Sequence, residues 1–277
     1  MVITKLYGGL GNQMYQHAAG LALSQKLNTS HYLDLSWFDE IKGNPEITQR
    51  VYELGGFGVK PQPLGVKARF SLKISPPSVF KESHFGYDST FESIAGNVIL
   101  DGYWQSYKYF QGHADKVVAS FRFPEKPAPN NQELINKMGS TNSVMVHVRR
   151  GDYNTQRGQA YHGLIPLSYY KKALADITKK IEHPTLYIFS DEIDWCKSNF
   201  NFEYPSVFID SNSPNTGPED MQLMSSAKHM IIANSSFSWW AAWLNANPDK
   251  IIYAPLKWFK GVEHEIHDRI PENWIKL

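Results

Sequence analysis

The run Ser143-Val144-Met145-Val146-His147-Val148 is followed directly by Arg149-Arg150-Gly151-Asp152. The run is short and mostly apolar, which is typical of a buried strand. Two adjacent arginines at a strand end supply several planar donors, and their forks match the oxygens of a pyrophosphate. Gly151 allows a tight turn, and Asp152 can orient a guanidinium or accept a proton. The segment therefore predicts a strand that ends in a diphosphate-binding loop, with a plain surface ion pair as the alternative.

Downstream of this segment, strand patterns alternate with helical patterns of roughly ten residues. The predicted strands cover 143–148, 185–190, 206–209, 229–233 and 250–254, and the predicted helices cover 167–181, 191–200, 218–227 and 237–245. Strands that alternate with helices in this way indicate a parallel sheet with helices on both faces. The second half of the chain is therefore expected to form an α/β domain.

Upstream of it, the first 35 residues follow the same logic on a smaller scale. A strand at 2–6, a glycine-rich turn, a helix that begins at Asn12 and a strand at 31–35 form one repeating unit. Residues 36–97 have weak periodicity and are expected to form irregular loops and short elements, whereas a strand at 97–103 and a helix at 106–121 follow. The proline-rich segment 123–130 is the predicted linker, which gives domains 1–128 and 129–277.

Composition excludes several classes of protein. The chain has 28 basic and 27 acidic residues, so it lacks the basic excess of a general nucleic-acid binder. Its single cysteine, Cys196, cannot form an intramolecular disulfide, which favours a reducing compartment. The sequence shows neither a signal-peptide pattern nor an apolar run of membrane-spanning length. A cytoplasmic protein is therefore expected.

Ligands of open α/β sheets bind beyond the carboxyl ends of the strands, and two further polar clusters follow predicted strands. Asn234-Ser235-Ser236-Phe237 begins a helix, where exposed N–H groups attract anions. Ser190-Asp191 follows another strand, and Asp191 could accept from a ribose hydroxyl or a base N–H. The alternative is that these residues only cap helices. Both explanations place them at the same edge of the sheet.

The N-terminal turn Gly8-Gly9-Leu10-Gly11-Asn12-Gln13 lacks the full spacing of a dinucleotide fingerprint. A structural tight turn explains its glycines, whereas the amides of Asn12 and Gln13 at a helix start suit a ligand rich in hydroxyl groups. Residues 264–268 resemble a metal site only superficially, because they do not form an H-E-x-x-H motif. The sequence also has no P-loop and no D-x-D pair, so no metal is implied.

Several of these segments, taken together, resemble the α-1,2-fucosyltransferases of glycosyltransferase family 11. They occur in the order typical of that family, and they are Gly8-Gly9-Leu10-Gly11-Asn12-Gln13-Met14-Tyr15-Gln16, Gly102-Tyr103-Trp104-Gln105-Ser106, His147-Val148-Arg149-Arg150-Gly151-Asp152-Tyr153, Phe189-Ser190-Asp191-Glu192, Glu219-Asp220-Met221-Gln222-Leu223-Met224 and residues 229–244. The H-x-R-R-x-D segment alone is shared with α-1,6- and protein O-fucosyltransferases. The other segments make the resemblance specific.

The resemblance implies an α/β, GT-B-like fold of two Rossmann-like domains with a cleft between them. It implies that the C-terminal domain binds GDP-fucose and that Arg149 grips the β-phosphate. The donor-binding residues that it implies are His147, Arg149, Arg150, Ser190, Asp191, Asp220, Asn234, Ser235, Ser236 and Phe237. Gly11, Asn12 and Gln13 are expected on the side of the fucose and the acceptor. No metal or other cofactor is expected.

The activity implied is inverting transfer of L-fucose to the 2-hydroxyl of a terminal galactoside. Arg149 and Asp152 are the catalytic candidates, and Asp152 serves either as the base or as a holder of the arginines. Another linkage, α-1,3 or α-1,6, and a non-catalytic GDP-sugar or glycan-binding protein are the alternatives. Residues 36–97 and 154–166 are expected to select the acceptor. Contact with the membrane is expected to be peripheral, through a lipid-linked acceptor.

Overall fold

A computed structural model describes residues 1–45, 47–210, 216–260 and 268–277. The chain forms two compact units. The first consists of Met1–Arg122 with Glu265–Arg269, of which residues 268 and 269 are described, and the second consists of Phe123–His264 with Ile270–Leu277. These units divide at Arg122, before the predicted boundary at residue 128, and the first unit also takes in a short segment that was assigned to the second domain.

The first unit is built on a four-stranded sheet in which every pair of strands is parallel. Its strands are β1 (Val2–Lys5), β2 (His31–Asp34), β3 (Ser78–Lys81) and β4 (Val98–Asp101), in the spatial order β2-β1-β4-β3. Its helices are α1 (Leu10–Lys26), α2 (Ser36–Glu40), α3 (Val66–Ile74) and α4 (Ala114–Ser120). Short 3-10 turns lie at Leu54–Phe57, Ser89–Ser93, Tyr107–Tyr109 and Gln111–His113.

Residues 36–97 form loops and short elements, as expected, and these include α2, α3 and the edge strand β3, whose mostly exposed side chains give no apolar signal. One prediction for this unit is wrong. The helix predicted at 106–121 is instead two 3-10 turns followed by α4. Gly112 in the second turn is consistent with that interruption, since glycine has a low helix propensity.

The second unit contains a six-stranded sheet whose strand pairs are all parallel. The strands are β5 (Asn142–Val148), β6 (Pro184–Ser190), β7 (Ser206–Ile209), β8 (His229–Ile231), β9 (Ile252–Ala254) and β10 (Ile275–Lys276), in the spatial order β10-β9-β8-β5-β6-β7. The helices are α5 (Pro129–Ser140), α6 (Gln156–Tyr161), α7 (Leu167–Ile177), α8 (Ile193–Asn199), α9 (Gly217–Ser225) and α10 (Ser236–Leu244).

The five strands and four helices predicted for this half are all confirmed, within a few residues at their ends. The strands β5 and β6 contribute to one apolar core with α7, which includes Val146, Ile188 and Ala173. The described elements thus confirm the α/β, GT-B-like fold class with two Rossmann-like domains. The sequence pattern did not predict α5, which begins with a proline at a position where its missing N–H is harmless.

Candidate active site

The sheet of the second unit has one topological switch point, between β5 and β8. From β5 the chain proceeds outward through β6 and β7, and from β8 it proceeds in the other direction through β9 and β10. In open α/β sheets, the crevice at such a point, beyond the carboxyl ends of the strands, is where ligands bind. Residues 149–152, here called the arginine loop, follow β5, and the cluster that begins at Asn234 follows β8. The two predicted clusters therefore lie at the two sides of the switch point.

Arg149 is held between two carboxylates at this edge. Its Nη2 lies 2.7 Å from Asp152 Oδ1, and its Nη1 lies 3.0 Å from Asp191 Oδ2. Burial tends to lower the pKa of Arg149, but the two carboxylates outweigh burial and the pKa is raised, so the guanidinium stays charged. The Arg149 side chain is 28% exposed and that of Asp152 is 48% exposed. Arg149 is therefore a fixed positive charge that a ligand from solvent can still reach.

Arg150 has a different role from its neighbour. Its Nε lies 2.8 Å from Glu192 Oε2, and its guanidinium lies 3.8 Å from the centre of the Trp195 ring. Its backbone N–H donates to Asp191 Oδ1 at 2.9 Å. A guanidinium that is stacked on indole and paired with a carboxylate is anchored on both sides. Arg150 thus ties the loop after β5 to the turn after β6.

Gly151 allows the close approach of this loop to Asp191. A Cβ atom at position 151 would lie 2.5 Å from Asp191 Oδ2 and 3.1 Å from its Cγ. Real Cβ atoms essentially never approach another atom this closely, so no side chain fits while Asp191 stays in place. The glycine is therefore a requirement of the Arg149–Asp191 contact, rather than only of a tight turn.

His147 is a buried histidine at the end of β5. Burial, with a smaller contribution from the charge of Arg149, lowers its pKa to about 3. The imidazole is therefore neutral at physiological pH and can donate one hydrogen bond and accept another. Within the described residues, no group forms a hydrogen bond with its Nδ1. Its ring lies beside Phe237, with the centroids 6.3 Å apart, so the structure brings these two predicted donor residues together.

On the β8 side, Asn234 organises the surrounding loops. Its Nδ2 donates to the carbonyl oxygens of His162, Gly163 and Trp258 at 3.1–3.3 Å. The backbone carbonyl of Asn234 accepts from Tyr153 Oη at 3.2 Å, so Asn234 is joined directly to the segment that follows Arg149. In this structure the Asn234 side chain is a structural donor.

The helix α10 begins at the same edge. Ser235 is its N-cap residue and Ser236 its first residue. The first N–H groups of a helix have no acceptor within the helix, and the helix dipole adds partial positive charge there. Because Ser235 immediately follows Asn234, these amides lie on the β8 side of the switch point. They form a second potential contact for an anion.

Two other predicted donor-binding residues, Ser190 and Asp220, make no contact with the arginines among the contacts described here. Ser190 Oγ accepts from the Glu192 N–H at 3.0 Å, which stabilises the turn between β6 and α8. Asp220 lies in the first turn of α9, which follows β7 in the chain. The contacts described above do not join Asp220 to the arginines, and its role in donor binding stays a prediction.

In the first unit, the predicted acceptor residues lie at the start of α1. Gln13 is fully buried, and its amide donates to the Gly8 and Val51 carbonyls and accepts from the Glu53 N–H. These bonds give Gln13 a structural role in this unit. Gly11 is also buried in α1. Asn12 Oδ1 accepts from Gln105 Nε2 at 2.6 Å.

Four residues outside the predicted site complete these arrangements. Glu192 and Trp195 anchor Arg150, and Tyr153 links the arginine loop to Asn234. Gln105 contacts Asn12, and its Oε1 accepts from the buried Arg269. Glu192, Tyr153 and Gln105 lie within the quoted motifs, so position in a motif was a usable signal. Trp195 lies outside those motifs, and nothing in the sequence pointed to it.

Metal-binding clusters and membrane-spanning helices are both absent from the described parts of the chain. Over the described ranges, no group of three or more His, Cys, Asp or Glu side chains is arranged to hold a metal ion. The residues 264–267 of the superficial metal motif lie outside those ranges. None of the described helices combines the length and the apolar character needed to cross a bilayer.

A family model described as glycosyl transferase family 11 matches residues 86–277. The chain belongs to glycosyl transferase family 11. An alpha-1,2-colitosyltransferase of Escherichia coli is 34% identical over all of this chain and 99% of its own length. The O-antigen biosynthesis glycosyltransferase WbnK of Escherichia coli is 32% identical over 98% of this chain and 99% of its own.

Two more distant similarities involve fucosyltransferases. The galactoside alpha-(1,2)-fucosyltransferase 1 of Leontocebus fuscicollis is 25% identical over 52% of this chain and 42% of its own length. The solved structure of fucosyltransferase NodZ from Bradyrhizobium superposes with a TM-score of 0.48 at 13% identity, over 87% of this chain and 91% of that one. This family 11 chain is therefore a glycosyltransferase. The matched residues include both the arginine loop and the cluster that begins at Asn234.

Proposed function

We propose that this glycosyltransferase transfers L-fucose from GDP-β-L-fucose to the 2-hydroxyl of a terminal galactoside, with inversion and without a metal. The observation that carries the proposal is the position of Arg149. It is a charged guanidinium fixed at the switch point of a parallel sheet, and a helix begins at the end of the neighbouring strand. That combination suits a nucleoside diphosphate.

Binding of the diphosphate would replace one of the two carboxylate partners of Arg149. Asp152 is the more exposed of its two carboxylates, at 48% against 23% for Asp191, and it binds Nη2 alone. A β-phosphate oxygen can therefore take the place of Asp152 on Nη2, while Asp191 keeps Nη1 oriented. The neutral His147 adds a hydrogen-bond partner that does not repel Arg149. Recognition of the guanosine is assigned to either Asp191 or Asp220.

In the reaction, the galactose O2 attacks the anomeric carbon of fucose from the face opposite GDP. The bond between this carbon and the β-phosphate oxygen breaks, and GDP leaves with the bonding electrons. Negative charge on the β-phosphate therefore grows in the transition state, where Arg149 and the first amides of α10 stabilise it more than in the ground state. The proton of the 2-hydroxyl passes to a base or leaves late.

Asp152 has two candidate roles in this scheme. As a base, it would take the proton from the acceptor hydroxyl. As a positioning residue, it would hold Arg149 in place until the donor binds, and the 2.7 Å contact between them supports this second role. An Asp152→Asn variant separates the two, because the amide oxygen still accepts from Arg149 but cannot act as a base. Retained transfer in this variant would support the positioning role, and a loss of a hundredfold or more would support the base.

A second donor follows from one comparison. The relative named an alpha-1,2-colitosyltransferase spans the whole chain, and colitose is the 3-deoxy counterpart of fucose. GDP-colitose is therefore the alternative donor, with the same diphosphate and the same leaving group. The names of this relative and of the Leontocebus fuscicollis enzyme both give an α-1,2 linkage, which supports transfer to a 2-hydroxyl over the α-1,3 and α-1,6 alternatives.

The test is a transfer assay with each donor and lactose as the galactoside. GDP release is measured, and the linkage of the product is determined by NMR, with and without EDTA. A 2-linked fucoside formed equally well in EDTA is the expected result, and Arg149→Ala should abolish it. A 3- or 6-linked product would refute the linkage, and a requirement for a divalent ion would refute metal independence. GDP-fucose binding without turnover on any galactoside would favour a non-catalytic protein.

The proposal extends to the compartment of the reaction and to its natural acceptor. The single cysteine is buried and unpaired by disulfide, which is compatible with a reducing cytoplasm. The relative with O-antigen biosynthesis in its name supports a surface-polysaccharide precursor as the natural acceptor. Such an acceptor on a lipid carrier would keep the enzyme at the inner face of the membrane.

A further inference from the structure

Helix α3 of the first unit carries apolar side chains on its outer face. Val66, Phe70 and Ile74 are 85%, 63% and 70% exposed. They are spaced four residues apart, so they lie in one row along the helix. Ala68, which lies on the opposite face, is the buried residue of this helix. Large apolar side chains in a contiguous exposed row are unusual for the surface of a soluble unit and mark a contact site.

Basic residues border this row on both sides. At about 100° of rotation per residue, Lys67 lies on one side of the row, and Arg69 and Lys73 lie on the other. All three are exposed. Arg69 is steadied by a bond from its Nε to the Leu64 carbonyl at 3.0 Å. We call these six residues the α3 surface: Val66, Lys67, Arg69, Phe70, Lys73 and Ile74.

The sequence segment that contains the α3 surface carries charge of one sign only. Between Glu53 and Glu82 the sequence has five basic residues, Lys60, Lys67, Arg69, Lys73 and Lys81, and no acidic residue. The whole chain, by contrast, has nearly equal numbers of basic and acidic residues. The positive charge is therefore concentrated in the segment that also exposes the apolar row. An anionic partner with an apolar interior fits both properties.

We propose that the α3 surface docks onto an anionic lipid bilayer, with the helix lying flat at the headgroups. Val66, Phe70 and Ile74 would enter the boundary of the acyl chains, and the flanking cations would meet lipid phosphates. A helix of nine residues is far too short to span a bilayer, so this contact is peripheral. A second copy of the chain fits less well, because a symmetric contact through this surface would bring its cations against their own copies. The inference is independent of the chemistry of transfer.

The test is sedimentation of the full chain with vesicles, without donor or acceptor. Vesicles of phosphatidylcholine with about one third phosphatidylglycerol should bind the protein, and pure phosphatidylcholine should bind it much more weakly. Phe70→Ser should reduce the partition coefficient by about tenfold, because it removes one large apolar side chain from the lipid boundary. Each of Lys67→Gln and Lys73→Gln should reduce it by about fivefold, an effect that high salt mimics.

The matched control is Leu256→Ser, which removes another apolar side chain that is 59% exposed, in the second unit. It should leave vesicle binding unchanged. Equal binding of Phe70→Ser and the native protein, with circular dichroism showing both folded, would overturn the proposal. So would equal binding to neutral and anionic vesicles. Self-association without lipid that Phe70→Ser abolishes would assign the surface to a second copy instead. None of these outcomes depends on whether the protein transfers fucose.

Discussion

Replacing Gly151 by alanine tests the arrangement around Arg149 with a single methyl group. The new Cβ would lie 2.5 Å from Asp191 Oδ2, whereas ordinary contacts begin at 3.4 Å. The carboxylate must therefore move by about an ångström, since the loop is held independently by the bond from the Asn154 N–H to the Gly151 carbonyl and by the ion pair of Arg150 with Glu192. That movement breaks or stretches the contacts of Asp191 with Arg149 Nη1, at 3.0 Å, and with the Arg150 N–H, at 2.9 Å.

The size of the effect follows from these contacts. A hydrogen bond to a charged group contributes roughly 1.5–3 kcal/mol, and partial exposure of the Asp191 side chain places the stability loss near the lower end, at about 2 kcal/mol. The effect on rate should be larger. A displacement of about 1 Å in a group that positions charge costs about a hundredfold, so kcat/KM for GDP-fucose is expected to fall by about that factor.

The assay compares GDP release and thermal unfolding of Gly151→Ala with those of Gly139→Ala. A methyl at position 139 meets nothing within 4 Å. It lies in α5, where alanine should stabilise by about 0.5–1 kcal/mol without changing transfer. If folded Gly151→Ala transferred fucose within about threefold of the native rate, the Arg149–Asp191 contact would have no part in catalysis and the reasoning would be wrong.

Three further predictions address other parts of the second unit. Trp195→Ala should raise KM for GDP-fucose and lower the melting temperature by a few degrees, because Arg150 loses its stacking partner. Trp195→Phe keeps an aromatic ring under Arg150, so its KM and melting temperature should stay close to the native values. Equal values for the two variants would refute a positioning role. The pKa of His147 is about 3 in the folded protein and 6.5 as its ordinary value. The contribution of neutral His147 to the free energy of unfolding is therefore complete above pH 6.5 and is lost as the pH falls from 6.5 toward 3. At about pH 5 the share of His147 in the loss, measured by urea unfolding as the difference between the native protein and His147→Gln, should be about 2 kcal/mol, and the same pH dependence in both proteins would contradict this assignment. Asn234→Asp replaces a donor to three carbonyl oxygens by a carboxylate, so the free energy of unfolding should fall by about 3 kcal/mol, and an unchanged value would show that these bonds do not matter.

The sequence was informative where burial imposes a regular pattern. The strands β5 and β6 are covered on both faces, and this produces the continuous apolar runs that identified them. The edge strand β3 and the two-residue β10 bury too little to leave such a pattern. Helix α5 begins inside the proline-rich segment, where the prolines suggested only a linker.

The site was predictable in part for a related reason. The rule that ligands bind at the carboxyl ends of strands needs only the strand positions, so it located Arg149 and Asp191 at one edge. The anchoring of Arg150 by Glu192 and Trp195 depends on β6 lying next to β5, with Val148 opposite Ser190. Spatial order and register of this kind are long-range properties that local patterns do not contain.

Gln13 illustrates the same limit in the first unit. As an amide at a helix start, it suggested a ligand for sugar hydroxyls. Two of its partners, the Val51 carbonyl and the Glu53 N–H, come from a segment without periodicity, about 40 residues away in sequence. Its contribution to substrate binding stays a prediction, whereas its role in holding that segment is visible in the structure.

The central claim is that Arg149 binds the β-phosphate of the donor, and the most direct test is the affinity for GDP relative to GMP. Calorimetry on the native protein, on Arg149→Ala and on Arg122→Ala, which alters an exposed arginine of the other unit, gives this ratio for each. The native protein and Arg122→Ala should prefer GDP. Arg149→Ala should lose about 1.5–3 kcal/mol of GDP binding, roughly tenfold to a hundredfold, with little change for GMP. A GDP to GMP ratio that is the same in folded Arg149→Ala as in the native protein would contradict the claim.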